Sequence, residues 1–181
     1  MSCRDAKVVV FGDTGVGKSS LIRRMYGESP LSVSSRPSVR TEVVDFLDME
    51  IDGNRFSLWD FGGADMYRPA QTHFLSDGAI SLVLFSLTSP DDLSRDRCAS
   101  WISFVLSRAK GVRFILVGTY CGSVSESARD TKLARVYDEM RERFGSCVCE
   151  GVCADSLLDL GVGDVKVALV DVLLSKVRVG V

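Results

Sequence analysis

One histidine stands among the 181 residues of this chain, and that scarcity bears on mechanism at once. A Ser/His/Asp or Cys/His arrangement would have to rest entirely on His73, with no second base of the same type to choose from. His73 is read as structural, with a role beside a mobile segment as the alternative. Long apolar runs are missing too. None approaches the roughly 18–20 residues that a membrane-spanning helix requires. Charge of one sign is also lacking: 22 Lys and Arg against 24 Asp and Glu leave a net −2, which gives no support for nucleic acid as a partner. The Met1-Ser2-Cys3 start offers no glycine for myristoylation and Arg178-Val179-Gly180-Val181 no cysteine to prenylate, so no lipid anchor is expected. Cys3 reads as an exposed thiol rather than a palmitoylation site. No secretory signal accompanies the six cysteines, so they are read as reduced thiols of a cytoplasmic protein, not as a disulfide framework.

What is present is a globular composition, 46% hydrophobic and 25% charged, expected to form one domain over residues 1–181. Its most informative stretch is Gly12-Asp13-Thr14-Gly15-Val16-Gly17-Lys18-Ser19, which fits the phosphate-cradling P-loop pattern. The glycines let backbone N–H groups approach a phosphate with no Cβ in the way. Lys18 supplies a point charge for terminal phosphates, and the Ser19 hydroxyl is a ligand for Mg²⁺. Context supports the match. Lys7-Val8-Val9-Val10-Phe11 before it reads as a buried strand, and Ser20 to Tyr26 after it has helical spacing ending at Gly27. A helix N-terminus is thereby aimed at the anion. The plain alternative is a glycine-rich turn with no ligand.

Strand and helix patterns then alternate. Ser29–Arg40 is a Ser- and Pro-rich loop, and Thr41–Ile51 has strand character. Asp52-Gly53 is a hairpin turn signal leading into Arg55–Trp59. A mobile segment from Asp60 to about Pro69 precedes an expected helix over 70–75, and Ala79–Phe85 is a buried strand. Ser89-Pro90-Asp91-Asp92 opens a helix expected to run to Lys110, with Trp101, Phe104 and Val105 on its inner face. Val112–Val117 is a strand, Ser127–Phe144 a helix, Cys147–Cys153 a buried strand and Gly163–Lys176 a final helix. The result is an α/β fold: a six-stranded mixed sheet with one antiparallel edge hairpin and about five helices, its ligands at the carboxyl ends of the strands. Cys147, Cys149 and Cys153 read as small core residues, with a zinc site as the alternative.

A second chemical group is Trp59-Asp60-Phe61-Gly62-Gly63. An apolar strand ending in Asp60 sets a carboxylate beside the P-loop for Mg²⁺, and Gly63 leaves the backbone free to sense a terminal phosphate. Together with Thr41-x-x-Val44-Asp45-Phe46, these motifs resemble a Ras/Rab-type small GTPase. The Trp-Asp-Phe variant, His73-Phe74, Trp101-Ile102 and Ile115-Leu116-Val117-Gly118-Thr119 resemble the Roc domain of Roco proteins in particular. The resemblance implies a P-loop NTPase that binds GTP or GDP with Mg²⁺ held by Ser19, Thr41 and Asp60. Ser38 is the alternative to Thr41. It places the nucleotide on Asp13, Thr14, Gly15, Val16, Gly17, Lys18, Ser19, Ser20, Gly63, Thr119, Tyr120, Gly122, Cys153 and Ala154. It also brings protein effectors and regulators that meet the switch loops, and a homodimer, since Roc domains are usually followed by a dimerisation module.

Two departures qualify it. The family's water-orienting glutamine is replaced by Ala64, whose methyl group neither orients nor polarises water, so hydrolysis is expected to be slow and no catalytic residue is assigned. Asp65 is the neighbouring acid that would have to substitute. The family's guanine-selecting Asn/Thr-Lys-x-Asp becomes Thr119-Tyr120-Cys121-Gly122. Thr119 keeps a polar group and the Tyr120 ring replaces the lysine stem over the base, but Gly122 has no carboxylate. That loss is worth about 2–5 kcal/mol, or roughly 30- to several-thousand-fold in affinity, and restoring it by Gly122→Asp is expected to tighten binding. Glu126 helps only if the loop refolds. Cys153-Ala154-Asp155 stands where the family has Ser-Ala-Lys, a contact made mainly by backbone. The leading expectation is a slow, switch-type GTPase. The alternatives are a pseudo-GTPase serving as an interaction scaffold and a protein that accepts ATP as well.

Overall fold

The computed structural model describes residues 3–29, 44–61 and 72–179. The sheet has the strand order β2-β3-β1-β4-β5-β6, with β1 Asp5–Phe11, β2 Val44–Ile51, β3 Asn54–Phe61, β4 Ile80–Ser86, β5 Arg113–Thr119 and β6 Val148–Ala154. Only the β2/β3 pair is antiparallel. Its turn is Asp52-Gly53, both at positive φ (48° and 72°), the geometry a two-residue hairpin demands. The remaining pairs are parallel, and β1, β4 and β5 lie inside the sheet, buried over Val8–Phe11, Ile80–Phe85 and Phe114–Thr119.

Four α-helices cover the sheet among the described residues: α1 Lys18–Tyr26, α2 Asp91–Leu106, α3 Glu126–Phe144 and α4 Val162–Val179. Alternation along β1 divides the core in two. Val8 and Val10 join Leu21, Met25, Val165, Leu169 and Leu173 from α1 and α4. Val9 and Phe11 join Trp101, Ile102, Val105, Val136 and Met140 from α2 and α3. Phe11 stacks on Trp101 with centroids 5.5 Å apart, and Trp101, Phe104 and Val105 are buried as their spacing predicts.

The differences from expectation are local. The helix expected over 70–75 is, where described, a single 3₁₀ turn at Thr72–Phe74, whose Phe74 packs between Trp59 and Phe61 at 5.5 and 5.7 Å. α2 stops at Leu106 rather than Lys110. The Ser107 hydroxyl donates back to Phe104 O at 2.7 Å, and Gly111 at φ 65° turns the chain into β5. β6 is an edge strand rather than a fully buried one. A register shift between Phe114 and Ile115 skips Cys149, and Cys147, Cys149 and Cys153 are only half-buried. No cluster of three or more His, Cys, Asp or Glu suited to a metal occurs among the described residues, so the zinc alternative finds no support there. Nor does any described helix have the length and apolarity to cross a membrane.

Candidate functional site

The site lies where β1 ends and α1 begins. Residues 12–17 form the connection, and its three glycines are all at positive φ: 146° at Gly12, 80° at Gly15 and 94° at Gly17. Gly12 is the most constrained, because a Cβ there would stand 2.7 Å from Leu84 O and 2.8 Å from Val16 Cγ1. Glycine is required by space as well as by dihedral. Gly17 is the N-cap of α1 and makes no side-chain cap, so the N-terminus of α1, the end of a helix that favours anions, begins directly at the loop.

Lys18, 8% exposed, folds over this loop. Its ammonium donates to Gly12 O and Asp13 O, each at 2.9 Å. Burial pushes its pKa down, and the charges of Asp60 and Asp13 pull it back up. A buried cation held by two carbonyls at a glycine cradle suits a polyanionic ligand, which offers the charge those carbonyls only partly supply. The Ser19 hydroxyl donates to Asp60 Oδ2, and Asp60 is 4% exposed near the end of β3. A hydroxyl and a carboxylate oxygen form a hard-oxygen pair of the kind Mg²⁺ takes, so the described residues fit the expected cation. Val16 is buried and Thr14 and Gly15 are exposed at the loop tip. Ser20 follows in the first turn of α1.

The expected base-side residues are brought together from distant parts of the chain. Thr119 is buried, donates its hydroxyl to Phe85 O at 3.1 Å and pairs in register with Ala154. Tyr120 takes the left-handed conformation (φ 59°) and its hydroxyl donates to Gly15 O at 2.5 Å. The residue expected to cover the base is thereby tied to the P-loop. Burial, then the nearby Asp155 charge, raises the phenol's pKa. Burial pushes the Cys153 thiol up to about 11, with Cys121 adding to the effect. Glu126 points elsewhere, pairing with Arg129 at 3.3 Å from the first turn of α3.

Gly122 is met by the loop that follows β6. Its N–H donates to Asp155 Oδ2 at 3.2 Å, and a Cβ added there would run into Leu158 Cδ1 while lying 3.1 Å from that same carboxylate oxygen. The Leu158 methyl belongs to a side chain that is 58% exposed and can swing aside, so the main obstacle to Gly122→Asp is the Asp155 carboxylate beside it. His73 is exposed on its 3₁₀ turn, not packed as a structural residue would be. Thr41, Ser38, Gly63, Ala64 and Asp65 lie outside the described residues.

Sequence reasoning placed Asp155 only as the end of Cys153-Ala154-Asp155, with no role for its side chain, and missed Arg97 and Leu158. Arg97 Nε meets Asp13 Oδ2 at 3.2 Å, beside a cavity of about 270 Å³ that Asp13, Gly15, Ser86, Ser89, Arg97 and Tyr120 help to line. The available signal was helical spacing, which places Ser94 and Arg97 on one face of α2. No local pattern marks Leu158. Phe46, 69% exposed on β2, tilts against Trp59 at 5.9 Å, and the Lys7 ammonium lies 4.1 Å from the Trp59 ring centre.

Comparison with known proteins agrees with this geometry. The family profile described as Ras of Complex, Roc, domain of DAPkinase matches residues 7–122. The probable serine/threonine-protein kinase roco11 of Dictyostelium discoideum is 31% identical over 149 residues, covering 76% of this chain and 10% of that protein. The Ras-related protein RabG2 of the same organism is 30% identical over 136 residues, covering 72% of this chain and 66% of that protein. GTP-binding protein RHO1 of Candida albicans is 33% identical over 114 residues, 62% of this chain and 56% of that one. The chain thus spans from a tenth to two-thirds of the length of these relatives. Among solved structures, Methanosarcina barkeri Roco2 RocCORdC bound to GDP superposes with a TM-score of 0.69 at 16% identity, covering 97% of this chain and 50% of that one. With a glycine cradle, a buried lysine and a serine–aspartate pair at the strand ends of a six-stranded mixed sheet, the chain belongs to the Roc family of Ras-like GTPase domains.

Proposed function

We propose that this domain binds guanine nucleotide with Mg²⁺ and acts as a slow GTPase switch. The observation that carries the reading is Lys18, whose buried ammonium sits between two P-loop carbonyls. Such an arrangement is costly without an anionic ligand to complete it. Lys18 and the loop amides hold the phosphates, and Tyr120, braced on Gly15 O, covers the base. Ser19 and Asp60 hold the cation, joined by Thr41. Bound Mg²⁺ supplies charge neutralisation at the terminal phosphates. Gly63 reports the presence of the terminal phosphate, and the switch loops present that state to effectors and regulators. Ala64 leaves the attacking water unoriented, so turnover is slow. The GDP bound to the Roco2 protein and the GTP-binding relatives support the choice of nucleotide.

A second reading is a pseudo-GTPase scaffold. It is favoured by the Gly122 corner, where Leu158 and Asp155 stand in the place of a base-facing side chain. The test is titration of the purified protein with fluorescent GDP, GTP and ATP analogues, with and without Mg²⁺, beside analysis of the nucleotide carried through purification. Saturable, Mg²⁺-dependent binding of GDP and GTP that is lost in Lys18→Ala supports the switch. Absence of saturable binding into the high-micromolar range refutes it and leaves the scaffold.

A further inference from the structure

The corner that lacks its family carboxylate contains a carboxylate from the opposite loop. Asp155 follows the last residue of β6, is 5% exposed, and is held on both sides of its side chain. Leu157 N and Leu158 N donate to Oδ1 at 3.0 and 3.1 Å, and Gly122 N donates to Oδ2 at 3.2 Å. Its backbone is fixed as well: Asp155 N meets Leu160 O at 2.8 Å and Leu160 N meets Asp155 O at 3.1 Å. The loop closes at Gly161 (φ 65°), where any Cβ would strike Cys153 O. This is a rigid mount for a charge, present before any ligand arrives.

The geometry points to Asp155 as the base-selecting residue of this domain, its carboxylate carried by the β6–α4 loop instead of by position 122. A carboxylate has about four acceptor positions, and the three backbone donors leave one, on Oδ2 beside Gly122. One charged acceptor is enough to discriminate. Guanine offers its N1–H as a donor, whereas adenine offers a lone pair at the same position, which a carboxylate repels. Gly122, which binds this carboxylate, lies in the turn that Ser123 N closes by donating to Tyr120 O at 3.0 Å, so the carboxylate is tied to the same turn that carries the ring covering the base in the proposed site. Because a single position remains, recognition is one-point: the exocyclic amine of guanine contributes little. Hypoxanthine, which keeps N1–H and lacks that amine, is accepted nearly as well.

This inference rests on the nucleotide-binding reading above, and the test separates the two. Competition titrations of the unsubstituted protein with GDP, IDP and ADP at fixed Mg²⁺ should place IDP within about threefold of GDP, and ADP about 30-fold weaker or more. Asp155→Asn keeps an oxygen for the Leu157 and Leu158 amides but removes the charge. It should bring GDP and ADP within about threefold of each other while its circular dichroism and melting curve stay near those of the parent. An unchanged GDP-over-ADP preference in Asp155→Asn overturns the assignment while leaving nucleotide binding intact. So does a strong rejection of IDP, measured on the parent and independent of whether the variant folds. Loss of all nucleotide binding by the parent overturns the underlying reading, and this inference with it.

Discussion

Gly122→Asp is the substitution for which sequence and structure give opposite forecasts. By motif alone it restores a missing carboxylate and tightens guanine nucleotide binding. In the folded chain the new Cβ would run into Leu158 Cδ1 and stand 3.1 Å from Asp155 Oδ2. Because Leu158 is 58% exposed and its methyl can move aside, the steric part costs about 1 kcal/mol at most, the low end of the range for overpacking. Two carboxylates about 4 Å apart add up to about 4 kcal/mol of repulsion at an effective dielectric near 20. The steric part alone lowers the melting temperature of a chain this size by no more than roughly 2–4 °C, so the charge part dominates. Gly122→Asn separates the parts, since it has the same shape without the charge. The charge part also has a pH signature. A carboxyl introduced beside Asp155 has its folded-state pKa raised above its unfolded value of about 3.9. Between those values the folded state holds more protons, so the penalty is full above the folded value and fades as pH falls toward about 4. Thermal melts of parent, Gly122→Asn and Gly122→Asp at pH 7.5 and 4.5, with GDP titrations at pH 7.5, measure all of this. The expected order of stability at pH 7.5 is parent, then Asn, then Asp, with the last two converging at pH 4.5 and GDP binding weakened in both. A Gly122→Asp protein that melts no lower than the parent, or binds GDP more tightly, would refute the reasoning.

Two further outcomes follow from contacts that join distant elements. Tyr120→Phe keeps the ring and removes the hydrogen bond to Gly15 O; a neutral bond of this kind is worth about 0.5–1.5 kcal/mol. GDP affinity should therefore fall by about two- to tenfold in the same titration, whereas an unchanged affinity would mean the brace plays no part in binding. Lys132, 7% exposed on α3, donates to Leu87 O at 3.2 Å and to Ser89 O, and meets Asp91 at 3.6 Å. Lys132→Met fills the space and strands those acceptors, so urea denaturation should show about 1.5–3 kcal/mol less stability at an unchanged slope. A shift under about 0.5 kcal/mol would assign the Lys132 bonds no net weight.

The division between what was legible in the residues and what was not follows from how far apart the participants lie. The P-loop is contiguous. Its glycine dihedrals, the lysine reach and the start of α1 are set within eight residues, so residue type and spacing sufficed. The strands were readable for a related reason: parallel strands buried on both faces carry near-continuous apolar runs, here Val8–Phe11, Leu82–Phe85 and Phe114–Val117. The boundaries of α2 and the 3₁₀ turn at Thr72–Phe74 depended on tertiary contacts, through Ser107 and through Phe74 against Trp59 and Phe61.

By itself, then, the sequence determined that a phosphate-binding loop opens an α/β domain, that Ser19 and Asp60 belong to one site, and that position 122 has no carboxylate. Only the tertiary structure decided what that last fact means. Tyr120 meets Gly15 across 105 residues and Gly122 meets Asp155 across 33. Neither contact leaves a local pattern, because loops that converge at the ends of parallel strands are neighbours in space through the sheet's register and not through the chain. In sequence, Gly122 is a deletion. In the fold, it is the point where the loop after β5 donates its N–H to the Asp155 carboxylate of the facing loop.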